Sequence, residues 1–271
     1  MTPNVRRFLS ASLVLHVYDQ PRVILQLAAS GFAPDQLDET LTVTCDGEPL
    51  EITEVTTEAQ TRVHLFTARP GQVMIDYRAT VEGRGALLVP TAADAIVYLR
   101  PSRYAESDRL AAFAQNTFGD VVGTRARIAA VVAWTNSHLD YVIGSSRPID
   151  GAVDTMLSRQ GVCRDFAHLV IALLRSLDIP ARLAAVYAPG LSPMDFHAVA
   201  EVIVDGAWII VDATGLAPRS SMLRIATGRD AADTAFASVY GGAVDFWETT
   251  VSAVIDGYLP LDDPDGTFSL T

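Results

Sequence analysis

Residues 160–187 read QGVCRDFAHLVIALLRSLDIPARLAAVY, and this stretch decides how the second half of the chain folds. Phe166, Val170, Leu173, Leu174 and Leu177 recur at the spacing of a helix with one strongly apolar face. The helix opens near Cys163, after the turn Gln160-Gly161-Val162. It ends at Ile179-Pro180, because proline has no N–H to donate and disfavours helix in the residue before it. LAAVY at 183–187 then reads as a strand. Downstream, HAVAEVIV (197–204) and WIIVDA (208–213) read as two more, joined at Asp205-Gly206 by a tight hairpin. A helix followed by antiparallel strands is the signature of an α+β unit.

Working backwards, residues 11–99 alternate with period two, as in Leu13, Leu15, Val17 and again Val73, Ile75, Tyr77, with turn signals at Asp46-Gly47 and Pro70-Gly71. This predicts an antiparallel, sandwich-like β region. The pattern changes after LRPSRYAESD. Leu110, Phe113, Ala114 and Thr117 then repeat at helical spacing, with Ser107 as N-cap and Gly119 past the end. A second helix is expected from Thr124 to about Tyr141. In the tail, Trp247, Thr249, Val251, Ala253 and Ile255 alternate as one further strand. The expected organisation is a β-rich domain over 1–100 and an α+β domain, helices packed on an antiparallel sheet, over 101–271.

The chain has 271 residues, 20 Lys plus Arg against 32 Asp plus Glu, and a formal net charge of −12. That balance excludes nucleic acid as a partner held by bulk charge, and an anionic membrane surface would repel it. With 49% hydrophobic and 19% charged residues, the composition is that of a globular core rather than a disordered chain. No run approaches the roughly 20 apolar residues of a membrane-spanning helix. FLSASLVLHVY (8–18) follows two arginines, yet it contains His16 and lacks a small-residue cleavage site, so it reads as a strand rather than a leader. Only Cys45 and Cys163 are present, too few for a disulfide framework, and a cytoplasmic location is the expectation. No histidine pair has a metal-binding spacing, DDPDG (262–266) reads as a turn because Pro264 falls where a calcium ligand is needed, and no phosphate-binding glycine pattern occurs. No metal or cofactor is expected.

Cys163 stands where the turn meets the amino end of the apolar helix. Unsatisfied N–H groups and the helix dipole there stabilise a thiolate, and the same N–H groups can hold an oxyanion. Cys45, in a strand beside a turn, reads as core. A nucleophilic cysteine needs a base, and His197 and Asp212 follow it in the chain. A two-residue loop at Asp205-Gly206 gives paired residues an index sum of 411, which sets Asp212 opposite Val199 and diagonal to His197 on one face. A three-residue loop gives 412 and separates them. Glu201 shares the face of His197 in the first case, as support for the site or as a partner for a cation. His168, five residues past Cys163, lies too far around the helix to be the partner. Trp134, His138 and Tyr141 form a stripe at helical spacing, either core or, for the Trp134 N–H, an oxyanion donor.

GVCRDFAHLVIALLRSLDIPARLAAVY, FHAVAEV and AWIIVDATG resemble, in order and element type, the Cys, His and Asp motifs of the transglutaminase-like superfamily. YLRPSRYAESD, DTMLSRQGVC and ATGRDAAD are similar to segments common in its bacterial, cysteine-protease-type members. The resemblance covers roughly residues 98–240. It implies a papain-like fold, with Cys163 as nucleophile, His197 as base and Asp212 as orienting acid. It further implies acyl transfer at amide bonds, as hydrolysis of a peptide or glutamine carboxamide or as transamidation, through a thioester. The partner would be a peptide or protein amide substrate. Val162, Trp134 and Glu201 are the accessory candidates for oxyanion or substrate contact. The chain departs from the family pattern at Val199, where a tryptophan is common, and at Asp212-Ala213-Thr214, where Asp-Pro-Thr is common; both bear on the pocket wall. The alternative is a noncatalytic peptide- or protein-binding module that keeps the fold. An arylamine acetyltransferase-like enzyme shares the triad logic but needs a coenzyme A site that no segment supplies.

Overall fold

The structure is a computed structural model that describes residues 5–33, 35–263 and 265–270; Pro264 of the DDPDG turn lies outside them. Alternation in the first half becomes two facing sheets. In the first, Arg6–Val17 lies between Gly71–Glu82 and Val244–Ile255, with Leu37–Cys45 and Glu48–Pro49 beyond Gly71–Glu82. The second orders Ala237–Tyr240, Arg22–Leu25, Arg62–Thr67 and Thr53–Thr56. Leu9, Ala11, Leu13, Leu15 and Val17 point inward with Val73, Ile75, Tyr77, Ala79 and Val81, against Val23, Leu25 and Phe66 from the other sheet. The period-two burial of these strands follows from a sheet with one face on the core.

The third sheet is antiparallel, in the order Ala207–Val211, His197–Val204, Ala181–Tyr187, Leu223–Gly228. The helix Cys163–Arg175 packs across it, and every residue from Asp165 to Arg175 is buried. Its face meets Ala181, Leu183, Ala200, Val202, Ile209 and Val211. Leu169, Leu173 and Leu174 have no exposed surface, and each contributes about 1.5–3 kcal/mol by leaving water. Three other helices, Ser107–Phe118, Thr124–His138 and Ala152–Ser158, surround this one. Ser107 is the first residue of its helix, with Glu106 at the cap position. Thr124–His138 stops three residues short of the expected end, since Leu139 is already extended at φ −115° and ψ 137°.

The expected division at residue 100 assigns everything after it to one unit, whereas the structure returns the chain to the first. Val244–Ile255 pairs along Arg6–Val17, and Ala237–Tyr240 pairs with Arg22–Leu25. The physical reason is pairing: each of these strands satisfies the free N–H and C=O groups of its neighbour and becomes the outer strand of its sheet, with Val251 and Ala253 joining the sandwich core. Tyr187, Leu223, Ile225 and Ala226 from the third sheet also belong to the sandwich core. The Tyr187 hydroxyl donates to the Leu27 carbonyl at 2.9 Å, tying the layers together. Among the described residues no helix is long and apolar enough to cross a membrane.

Candidate active site

The amino end of the Cys163 helix is built by three local devices. Gln160–Gly161 pairs in parallel with Asp140–Tyr141, which fixes the approach of the chain. Asp165, in the first turn, folds back so that its Oδ2 accepts from the Val162 N–H at 2.9 Å. That leaves no room for a side chain at residue 161, where an added Cβ would lie 2.6 Å from the Asp165 Cβ. The Ser146 hydroxyl donates to the other Asp165 oxygen at 2.9 Å, so the carboxylate is locked against the helix terminus it stabilises. Cys163 is half-buried, and its thiol lies 4.0 Å from the Phe196 carbonyl oxygen.

His197 opens the neighbouring strand. The hairpin that follows has the two-residue loop: Val204 pairs with Ala207 and Ala200 with Val211, the 411 register. Asp205 and Gly206 have φ of 52° and 78°, the left-handed pair that matches strand twist in a tight hairpin. Extended one residue, this register sets Asp212 diagonal to His197, and the ring's Nε2 lies 3.0 Å from Asp212 Oδ2. The two side chains are 0% and 2% exposed. The second oxygen of Asp212 accepts from the Thr214 N–H and hydroxyl, each at 2.8 Å. Asn136 reaches across from its helix to donate to the Ala213 carbonyl at 2.8 Å.

Since Nε2 is committed to Asp212, Nδ1 is the ring nitrogen left for Cys163; it is buried and has no hydrogen-bond partner among the described residues. Burial pulls the His197 pKa down, but the hydrogen bond that the ring donates to Asp212, the sulfur of Cys163 and the charges of both outweigh it, and the ring is pushed up to about 10. Burial pushes Asp212 up, yet His197 and Thr214 hold it below the ordinary carboxylate value. The arrangement carries the elements of nucleophilic catalysis: a thiol at a helix terminus, an imidazole beside it, and a carboxylate that fixes the imidazole.

The accessory residues separate from this cluster. The Val162 N–H is occupied by Asp165 and is not free to hold an oxyanion. Trp134 stacks on His138 at 4.3 Å and packs edge-on to Phe113 and Phe118 at 5.1 and 6.3 Å; the helical stripe reflects packing between helices. Glu201 does share the face of His197, but its carboxylate is fully buried and bound by Arg182 Nε at 2.8 Å and by Arg224 at 2.9 and 3.0 Å. Those guanidinium groups hold its pKa down against the upward push of burial, and its role is to pair them. His168 accepts from the Ala231 N–H at 3.1 Å and burial holds it neutral, with a pKa near 3. Arg229 pairs with Asp233, and Asp230 caps the short helix Ala231–Thr234. Thr214, Asn136 and Tyr141 escaped the sequence reading as site residues. The Asp-x-Thr spacing is the signal that could have found Thr214, because a threonine two residues after an acid closes a local side-chain turn.

The family model described as Transglutaminase-like superfamily matches residues 111–213, which include all three residues of the cluster. A solved structure from Cytophaga hutchinsonii, provisionally named a cysteine protease, is 32% identical, covers 100% of this chain and 99% of its own, and has a TM-score of 0.89. An uncharacterized protein of Mycobacterium leprae is 36% identical over 88 residues, 31% of this chain. The match spans 30% of that curated relative's length.

Proposed function

Because the chain belongs to the transglutaminase-like superfamily, we propose that it is a cysteine-dependent enzyme of acyl transfer at amide bonds, with Cys163 as nucleophile, His197 as base and acid, and Asp212 as the group that holds the imidazole. The observation that carries this reading is the 3.0 Å contact between His197 and Asp212, with Nδ1 left toward Cys163. The carboxylate selects the tautomer and stabilises the imidazolium. The Cys163 proton passes to Nδ1, and the sulfur attacks the amide carbon. The tetrahedral adduct then expels the amine, which takes the proton back from His197, and a thioester remains.

Water as the second nucleophile gives hydrolysis, and an amine gives transamidation. Hydrolysis is the reading adopted here, supported by the likeness to the Cytophaga protein. The net charge of −12 favours encounter with cationic peptides by steering.

Incubation of the protein with basic, glutamine-containing peptides, with and without a primary amine, and mass analysis of the products tests this. Peptide cleavage or glutamine deamidation that vanishes in Cys163→Ala supports hydrolysis. An amine adduct as sole product moves the acceptor to the amine. Stoichiometric peptide binding without turnover favours the noncatalytic module.

A further inference from the structure

Each hydrogen bond to the oxyanion of a tetrahedral intermediate speeds acyl transfer; of the donors named from the sequence, the Val162 N–H is taken by Asp165, and the Trp134 ring packs among Phe113 and Phe118 between the helices. Tyr141 remains. It is pinned from both sides: Asp140 donates its N–H to the Arg159 carbonyl at 2.9 Å, Val142 donates to Gly161 at 3.0 Å, and Tyr141 itself pairs with Gly161, two residues before Cys163. Its ring packs on Phe166 at 5.9 Å, one turn along the helix from Cys163, so the phenol runs beside the helix's first turn. The residue is 39% exposed, open to a ligand. Cys163 acts on its hydroxyl through both the sulfur and the backbone N–H. Burial and the charge of the sulfur push the phenol up to about 12, while the Cys163 backbone N–H bonds it and works the other way. The phenol therefore keeps its proton at neutral pH, as a hydrogen-bond donor must.

We infer that the Tyr141 hydroxyl is the second oxyanion donor of the site, acting with the Cys163 backbone N–H on the carbonyl oxygen under attack; this rests on the acyl-transfer reading above. As the S–C bond forms, the carbonyl π pair moves to oxygen, which accepts from the Cys163 N–H and the Tyr141 O–H. When the adduct collapses, the C=O bond is restored, the C–N bond breaks, and the amine leaves with the proton from His197. Water then adds to the thioester through an equivalent oxyanion: the C–O bond forms, the C–S bond breaks, and the water proton goes to His197. Tyr141 lends its proton as a hydrogen bond in both halves and never transfers it.

Two reactions at Cys163 separate this role from a structural one. Alkylation by iodoacetamide displaces iodide and develops no oxyanion; acylation by p-nitrophenyl acetate passes through one. Tyr141→Phe is expected to alkylate within about threefold of the parent protein but to acylate about 10²–10³-fold more slowly, the usual loss for one oxyanion donor. Equal loss in both reactions makes Tyr141 a support for the thiol and overturns the inference. No loss in either, or faster acylation, makes the ring inert or a plug, and also overturns it. Failure of the parent protein to acylate, with Cys163 still alkylated, removes the acyl-transfer reading first and this role with it.

Discussion

The imidazole of His197 and the carboxylate of Asp212 meet at 3.0 Å across a hairpin whose register is fixed by Asp205 and Gly206. The pair is almost wholly buried, so its charge interaction is little screened by solvent. Thr214 closes the outer oxygen of Asp212, and Nδ1 of the ring is left without a hydrogen-bond partner among the described residues.

Replacing Asp212 by Asn keeps the shape but removes the charge that holds the imidazole proton. Turnover is expected to fall by about 10²–10⁴-fold, with the larger share in kcat. The His197 pKa, followed by NMR, should drop from near 10 towards or below its ordinary value. An unchanged kcat would separate Asp212 from the chemistry.

The same pair sets a pH signature on stability. His197 binds its proton more tightly folded, near 10, than unfolded, near 6.5, so its stabilisation is complete below about pH 6.5 and is lost as pH rises towards 10. Asp212, held below its ordinary 3.8, contributes above that value and loses its contribution as pH falls through its lower folded value. Melting temperature against pH should therefore decline on the alkaline side in the parent protein. His197→Gln should flatten that decline; an identical slope in both would contradict the assignment.

Gly206 has φ of 78° and open space around the position of a Cβ. Gly206→Val is thus expected to destabilise by backbone strain alone, about 1–3 kcal/mol, read from the shift of the denaturation midpoint. Activity per folded molecule should fall as well, because the register that brings Asp212 to His197 depends on this turn.

Glu201→Ala leaves Arg182 and Arg224 facing each other in a buried layer, and a loss of about 3–5 kcal/mol is expected for breaking such a cluster. kcat and KM of the folded fraction should stay near the parent values, since Glu201 serves the guanidiniums. A specific loss of kcat with intact stability would return Glu201 to the site.

The helix at Cys163, the strand at His197 and the Asp-Gly hairpin were legible because each has a local cause: apolar spacing, alternation, and a turn dipeptide that takes positive φ. The register alternatives, 411 against 412, were also stated by the sequence, but only the paired strands choose between them. Leu223–Gly228 gave no signal, because a strand buried on both faces does not alternate. Val244–Ile255 was legible as a strand, but not its pairing with Arg6–Val17, since nothing local encodes a partner more than two hundred residues away. Tyr141 was misplaced for a related reason. It continued the spacing of Trp134 and His138, yet the helix ends at His138 and the chain turns to pair beside Gly161 instead.

The proposed chemistry depends on activation of Cys163 by His197. The most direct measurement is the rate of iodoacetamide alkylation at Cys163 at neutral pH, mapped by mass spectrometry in the parent protein and in His197→Ala, with buried Cys45, 3% exposed, as internal reference. Rapid labelling of Cys163 alone is expected in the parent protein, with a drop of at least about tenfold without the imidazole. Equal rates in the two proteins, or a Cys163 as unreactive as Cys45, would contradict it.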